Sequence, residues 1–292
     1  MFDIQPSILS IQAGKVAPLG ASGVLSGFVK RIVRGQVEIA PLGLTGDEQA
    51  DLSVHGGPDK AVYFYPSEHY ATWTREFPEH RELLAPGGFG ENLTTAGLIE
   101  NTVAIGDVFS VGNALLQVTQ PRQPCFKLAI RFDDPRLGRA MLRSGRTGWY
   151  ARVITAGAVA GGYKVTLVDR PKADWTIRRF ADLIAHGKTS IEELVELMEL
   201  PGLPITWREI AARAVTIAAE RADSSGAPPR GPVTLRGHRE PADRANHAPR
   251  SRPRIYGLAL PPQESIKSRL NGPDNDTAAG NGSDALQRAW RW

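Results

Sequence analysis

The sequence contains a single cysteine, Cys125, among its 292 residues. One cysteine excludes an internal disulfide and any zinc site that takes two thiolates from the same chain. No apolar run reaches the roughly 18 residues of a membrane-spanning helix, and residues 1–14 lack the basic and apolar regions of a secretory signal. A lone thiol without an export signal is typical of a cytoplasmic protein, and we expect no contact with a membrane.

An excess of one charge sign is also missing from most of the chain. Residues 1–220 hold 23 basic and 24 acidic residues, whereas residues 221–292 hold 12 basic and 7 acidic ones. The net charge of +4 therefore comes from the C-terminal stretch and does not indicate that the folded part binds nucleic acid. Residues 222–292 also contain nine prolines and little apolar periodicity. They bury too little apolar surface to offset chain entropy, so we predict a disordered basic tail over 222–292.

The first 170 residues contain short apolar runs separated by Gly, Pro and Asp, such as 61–65, 115–119 and 163–168. Their β-branched residues favour strands. Only two short helices are indicated, one over 66–77 and one over 134–143. Many short strands with few helices predict a mainly β domain, either a barrel or a sandwich, rather than a doubly wound sheet.

The hydrophobic pattern changes to the helical period of 3.6 residues over 174–220. Thr176 is suited to cap a first helix. Residues 190–193 form a capping box for a second helix, and residues 206–209 form another for a third. Two prolines separate the second helix from the third. The sequence therefore predicts a three-helix module over 174–220.

Two glycine-rich segments carry polar side chains next to predicted strands. In the first, His55 precedes the pair Gly56-Gly57, whose backbone N–H groups a ligand can approach closely. In the second, residues 87–93, three glycines are followed by Glu91 and Asn92. These turns are suited to bind an anion, although His55 is equally compatible with a role in supporting the turn.

The single cysteine lies in a third segment, residues 120–127, in which two prolines restrict the backbone. Arg122 and Lys127 flank Cys125. A thiol between two cations is expected to have a depressed pKa, which favours the thiolate that ligates a metal or attacks an electrophile. The alternative is that Cys125 is an ordinary small buried residue and that Arg122 pairs with a structural carboxylate.

The order of these motifs resembles the MOSC domain, the family named for the C-terminal part of molybdenum cofactor sulfurase. The resemblance covers about residues 24–168 and is carried by Gly46-Asp47 and by the segments 54–62, 89–93, 106–107 and 120–125. The helical module resembles the appendage of the YiiM-type members of that family. The resemblance implies a twisted β-barrel core with short helices, followed by the helical module.

The resemblance also assigns roles to individual residues. It implies that Cys125 ligates molybdenum held by a pterin dithiolene, and thiolate is indeed a soft ligand suited to this metal. It makes His55 a candidate proton donor, because imidazole titrates near neutral pH, and Glu91 a candidate hydrogen-bond partner of substrate or pterin. The cofactor also carries a phosphate, and the residues expected to bind the cofactor are Gly56, Gly57, Lys60, Asn92, Arg122 and Lys127.

The function that the resemblance implies is reduction of N-hydroxylated compounds, such as base analogues of the 6-hydroxylaminopurine type, with detoxification as its role. The cofactor would carry out the redox chemistry while the protein orients and protonates the small-molecule substrate. The chain shows no GxGxxG turn, flavin motif or cysteine cluster. We therefore expect a separate flavin or iron–sulfur reductase to supply the electrons.

Two interpretations other than the reductase remain open. The protein is alternatively a sulfur-transfer protein with a persulfide on Cys125, or a carrier that holds the molybdenum cofactor for delivery without turnover. A third interpretation is a non-catalytic β protein whose basic tail binds nucleic acid. Salt-sensitive binding that is lost when residues 222–292 are deleted would support the third.

Overall fold

Short strands alternate with glycine-containing turns in the computed structural model, which describes residues 5–52, 55–225 and 233–234. The strands are β1 (Ser7–Ala13), β2 (Ala17–Leu19), β3 (Val24–Ser26), β4 (Arg31–Val33), β5 (Gln36–Ala40), β6 (Gly43–Leu44), β7 (Val62–Pro66), β8 (Leu93–Ala96), β9 (Val108–Val111), β10 (Ala114–Pro121), β11 (Trp149–Thr155), β12 (Gly157–Ala160), β13 (Val165–Asp169), β14 (Lys188–Thr189) and β15 (Val233–Thr234). The helices are α1 (Glu68–Glu76), α2 (Phe126–Phe132), α3 (Arg136–Ser144), α4 (Ile177–His186), α5 (Ile191–Glu199) and α6 (Ile205–Ser225). Among the helices within these residues, none has the length and apolarity needed to cross a bilayer.

Eight strands form the main sheet, in the order β13-β9-β10-β11-β7-β8-β1-β4. All its neighbours are antiparallel except β7 and β8, which are parallel and are connected through α1. Ser7 bridges Lys164, and the Val165 N–H donates to the Pro6 carbonyl (2.8 Å), so β1 meets the beginning of β13. This curved mixed sheet confirms the predicted mainly β architecture, although no continuous ladder among the described strands closes it into a barrel.

Strand β7 separates two hydrophobic cores. Val62 and Phe64 point into a core that contains the inner face of the sheet and the C-terminal helices. Tyr63 and Tyr65 point into a second, aromatic core that contains residues of α1, α2 and α3. Since successive side chains of a strand face opposite sides, one five-residue strand contributes to both cores and is buried throughout.

The two helices predicted in the first part are confirmed as α1 and α3, with ends that differ by one or two residues. The sequence analysis missed α2, which begins directly after Cys125. This helix has only seven residues, and its N-cap residue, Cys125, makes no side-chain capping bond. Short helices without a polar N-cap carry little local signal.

The C-terminal helices α4 and α5 begin where their caps predict. The Thr176 hydroxyl accepts a hydrogen bond from the Arg179 N–H (3.1 Å), and the Ser190 hydroxyl accepts one from the Glu193 N–H (3.1 Å). The prediction of a capping box at 206–209 is wrong, because α6 already begins at Ile205.

The C-terminal boundary also differs from the prediction. Helix α6 continues to Ser225, and β14 pairs with β15 at Lys188–Thr234, so residues placed in the disordered tail take part in regular structure. The rest of the predicted tail, 226–232 and 235–292, lies outside the described residues. The division into a domain over 24–168 and a module over 174–220 stays a prediction. Leu116 of the sheet and Phe180 of α4 nevertheless belong to the same hydrophobic core.

Candidate functional site

Segments that are far apart in the sequence, from Ser26 to Tyr150, line one cavity of about 80 Å³. Most of the predicted site residues meet there, and two do not: Gly57 and Glu91 are not among the residues that line the cavity. The predicted residues in its wall are His55, Gly56, Lys60, Asn92, Arg122, Cys125 and Lys127.

Cys125 lies between the end of β10 and the first turn of α2. Its backbone is extended, and its carbonyl accepts a hydrogen bond from the Leu128 N–H (3.0 Å). The residue is half-buried and forms part of the cavity wall. A cysteine at the wall of a cavity can reach a ligand, which the alternative of a fully buried small residue does not allow.

The guanidinium of Arg122 is held by soft and aromatic groups. Arg122 is only 5% exposed, and its Nη1 lies 3.4 Å from the Met141 sulfur. Its Cζ lies 5.5 Å from the ring centres of both Phe28 and Tyr63. Within the described residues, no carboxylate forms an ion pair with Arg122. The alternative interpretation, in which Arg122 pairs with a structural carboxylate, therefore finds no support among these residues.

The electrostatic surroundings keep Arg122 charged. Burial opposes the charge, but the side chains of Tyr63, Tyr150 and Cys125, together with a side-chain hydrogen bond between Arg122 and Tyr150, outweigh it and raise the pKa of Arg122 above its usual range. The guanidinium is thus a permanent cation at the wall of the cavity.

Lys127 adds a second buried cation. It is the second residue of α2, is 6% exposed and lines the cavity. Its ammonium group has no hydrogen bond or ion pair in the part of the chain that the structure describes. A buried charge is costly unless a partner compensates it. Arg122 and Lys127 together place two buried basic side chains in the cavity wall, an arrangement that favours an anionic ligand.

A buried ion pair between Lys30 and Asp47 forms another part of the wall. Asp47 also accepts hydrogen bonds from the Gly14 N–H (2.8 Å) and the Asn92 side-chain amide (2.9 Å). Burial lowers the pKa of Lys30, and Asp47 partly offsets this effect. Sequence reasoning missed Lys30, which lies outside every recognised motif, whereas Asp47 belongs to the Gly46-Asp47 pair.

Asn92 links the two halves of the wall. Its side-chain amide donates to Asp47, and its Oδ1 accepts a hydrogen bond from the Tyr63 N–H (3.1 Å). Both ends of this amide are therefore used within the protein. Asn92 lines the cavity as predicted, and its contacts show that it fixes β7 against the Asp47 loop.

Glu91 is fully buried and faces away from the cavity. Its carboxylate accepts hydrogen bonds from the N–H groups of Gly87 (2.6 Å) and Phe89 (3.2 Å) and from the Thr94 hydroxyl (2.9 Å), and it also accepts one from the Tyr70 hydroxyl. The prediction that Glu91 contacts substrate or pterin is corrected accordingly. Its carboxylate supports the loop that brings Phe89 to the cavity wall.

The backbone conformation of the turn after His55 explains why the turn contains two glycines. Gly56 and Gly57 have φ values of 81° and 80°, which side chains with a Cβ rarely adopt. Gly56 lines the cavity, whereas Gly57 precedes the short helical turn Pro58–Lys60. Gly57 therefore shapes the turn that presents Lys60 to the cavity, rather than forming its wall.

Aromatic rings complete the wall and were not predicted from the sequence. The rings of Tyr63 and Tyr150 lie 5.1 Å apart, and Phe28 and Phe89 also line the cavity. The Tyr63 hydroxyl donates to the Thr147 carbonyl (2.8 Å), and burial raises its pKa well above the usual value. The alternation along β7 could have indicated Tyr63, because its neighbours Val62 and Phe64 face the other core.

A separate cluster of possible metal ligands, Glu79, His80 and Asp134, already has a cation. Arg136 contacts Glu79 (2.5 Å) and Asp134 (2.7 Å), and His80 contacts Asp134 (3.0 Å). The guanidinium supplies the positive charge that a metal ion would bring. This cluster is therefore a structural ion-pair network.

Comparisons with known proteins match this geometry. The MOSC domain profile matches residues 51–166. The chain is 41% identical to protein YiiM of Escherichia coli (strain K12) over 199 residues, which cover 68% of this chain and 88% of that protein. It is 36% identical over 196 residues to a protein named reductase from Gibberella moniliformis (strain M3125 / FGSC 7600), covering 66% of this chain and 35% of that protein.

The fold agrees with the same family. The crystal structure of YiiM from Geobacillus stearothermophilus superposes with a TM-score of 0.61 at 31% identity, covering 72% of this chain and 99% of that one. The cavity-wall residues from His55 to Tyr150 lie within the matched region, whereas Lys30 and Asp47 precede it. On this evidence, the chain belongs to the MOSC domain family, as a YiiM-like member.

Proposed function

We propose that this protein is a molybdenum-cofactor-dependent reductase of N-hydroxylated compounds, with base analogues of the 6-hydroxylaminopurine type as substrates and detoxification as its role. The observation that carries the proposal is the position of Cys125 in one cavity with Arg122 and Lys127, two buried basic residues that have no carboxylate partner among the described residues. A soft ligand beside two buried basic side chains suits a metal held by an anionic organic cofactor.

The residues of the cavity fit the chemistry of this cofactor. A Cys125 thiolate would serve as the protein ligand to molybdenum, alongside the dithiolene sulfurs. Arg122, Lys127 and Lys60 would bind the phosphate, because charge-assisted hydrogen bonds to phosphate are among the strongest that side chains form. When bound, the cofactor supplies the two-electron redox chemistry that reduces an N–O bond.

The protein contributes protons and orientation. Reduction of a hydroxylamine to an amine and water consumes two electrons and two protons. His55 lines the cavity and would donate a proton, since imidazole titrates near neutral pH. The rings of Tyr63 and Tyr150 offer flat surfaces on which a planar heterocycle stacks.

Electrons would come from a separate flavin or iron–sulfur reductase in the cytoplasm. The relative from Gibberella is named reductase, which supports a reductive reaction for the present chain. The match covers 35% of that longer protein.

The main alternative uses the same thiol for sulfur transfer or for carrying the cofactor without turnover. The deciding experiment is elemental and pterin analysis of the full chain made in a host that synthesises the cofactor, followed by turnover of 6-hydroxylaminopurine with a chemical or enzymatic reductant. Stoichiometric molybdenum with turnover supports the reductase. Molybdenum without turnover of any N-hydroxylated compound indicates a carrier, and a persulfide without molybdenum indicates sulfur transfer.

The matched variant for this experiment is Cys125→Ser. A hydroxyl is a hard, poorly ionised ligand, so the variant should fold, lose molybdenum and lose turnover. Full molybdenum content and full turnover in Cys125→Ser would overturn the assignment of Cys125 as the metal ligand.

A further inference from the structure

The C-terminal helices make a direct hydrogen bond to the strand that ends at the candidate site. The Trp207 indole N–H in α6 donates to the Gln120 side-chain oxygen in β10 (2.6 Å). Both residues are 5% exposed. Gln120 lies two residues before Arg122 and five before Cys125, so this bond is made at the base of the segment that carries both.

A second contact joins the same helices to another segment of the cavity wall. Arg152 in β11 donates to the carbonyl of Gly202, in the turn between α5 and α6 (2.8 Å), and forms an ion pair with Asp59 (2.6 Å). Asp59 belongs to the turn Pro58–Lys60, whose last residue lines the cavity. One guanidinium therefore connects the α5–α6 turn to the segment that presents Lys60.

We infer that Trp207 and Arg152 are positioning residues, through which helices α5 and α6 hold the segment 120–127 and the turn Pro58–Lys60 in place at the cavity. The bond between Trp207 and Gln120 lies in a buried environment, where a lost donor leaves the amide oxygen unsatisfied. Gln120 then has to reorient, and the following segment, through Cys125, has to move with it.

The inference rests on the proposed function only for the identity of the ligand. Cys125 is the only thiol of the chain, so its rate of modification by a neutral alkylating reagent reports the local order of its segment without any cofactor. A half-buried thiol reacts faster when its segment opens more often. Retention of the pterin after dialysis is the second measurement.

The chain offers a matched control. Trp175 is also buried, and its indole N–H donates to Glu196 in α5 (3.0 Å), a bond that stays within the C-terminal part of the chain. Trp175→Phe and Trp207→Phe each remove one indole donor from the same core. Only Trp207→Phe affects a residue next to the cavity wall.

We expect Trp207→Phe to accelerate alkylation of Cys125 by about threefold or more and to reduce pterin retention, while Trp175→Phe lowers the melting temperature without changing the alkylation rate. Arg152→Met tests the second contact and decides the question if Trp207→Phe does not fold. Its control is Arg170→Met, because Arg170 pairs with Asp107 (2.6 Å) and donates to the Thr102 carbonyl (2.8 Å), and neither partner lines the cavity. Equal alkylation rates in each variant and its control would overturn the inference. Faster alkylation in a protein that never binds pterin would retain the inference and refute the proposed function.

Discussion

Replacing Arg122 with Met should weaken ligand binding while leaving the stability of the empty protein close to that of the native protein. Arg122 is a buried cation that has no carboxylate partner among the described residues. In the protein without a ligand, its desolvation is a cost that the surrounding rings of Phe28 and Tyr63 offset only in part. A methionine side chain has a similar length and suits the contact with Met141, so the empty protein keeps its packing.

The magnitudes follow from these contacts. Two cation–π contacts at 5.5 Å contribute about 0.5–1 kcal/mol each, and the hydrogen bond between Arg122 and the Tyr150 side chain contributes about 1.5–3 kcal/mol. Burial of a charge that lacks a carboxylate partner costs several kcal/mol. These contributions nearly cancel, so the free energy of unfolding of empty Arg122→Met should be close to that of the native protein. Loss of one charge-assisted hydrogen bond to an anionic ligand costs about 1.5–3 kcal/mol, or roughly 10- to 150-fold in affinity.

The assay measures the melting temperature with and without cofactor, together with the pterin retained after dialysis. The control is Arg146→Met, since the Arg146 guanidinium lies 3.8 Å from the centre of the Trp73 ring and pairs with Glu76 (2.6 Å). We expect Arg146→Met to lower the melting temperature of the empty protein and to leave pterin retention unchanged. If Arg122→Met instead matches Arg146→Met in both measurements, Arg122 is a structural residue and the reasoning fails.

Three further outcomes concern stability. Glu91→Gln should lower the melting temperature by several degrees, because an amide nitrogen would then face the backbone N–H donors of the loop. An unchanged melting temperature would contradict the supporting role of Glu91. Hydrogen bonds from Arg136 hold the pKa of Asp134 below its usual range, so this carboxylate stabilises the fold above about pH 4 and the contribution falls as the pH drops towards its folded-state pKa. Asp134→Asn should thus lower the melting temperature at pH 7, and the difference in melting temperature from the native protein should shrink below about pH 4. A difference in melting temperature that does not depend on pH would refute this cause. A chain ending after Glu220 lacks the end of α6 and strand β15 and should melt below a chain ending after Glu240, and equal melting temperatures would contradict the β14–β15 pairing.

The parts of the fold that sequence predicted are those with a local chemical cause. Thr176 and Ser190 cap their helices through their own side chains, so the residue type and its position suffice. Helix α6 instead begins after Pro204, and no hydroxyl marks its start. Helix α2 begins at Phe126, its N-cap residue Cys125 makes no side-chain capping bond, and its seven residues are too few for a periodic signal.

The sequence predicted the site residues that lie within short motifs. It did not predict those that reach the cavity only through tertiary contacts. Cys125 and Arg122 lie within one short segment, so their proximity follows from the chain itself. Lys30 reaches the cavity only through its pairing with Asp47, and Tyr150 only through the pairing of β11 with β7. Glu91 shows the opposite error, because a polar residue in a glycine-rich loop does not reveal that its carboxylate turns inward to the loop's own N–H groups.

The strand order has a consequence for the timing of ligand uptake during synthesis. Strand β7 lies between β8 and β11, so the wall that contains Tyr63 is complete only when the chain near Tyr150 has emerged from the ribosome. The hydrogen bond from Arg152 to the Gly202 carbonyl forms only after the chain as far as Gly202 has also emerged. Sheets built from such distant pairings fold slowly and late. We therefore expect the cavity to assemble only when most of the chain has been translated, so that any ligand enters a finished domain rather than a growing one.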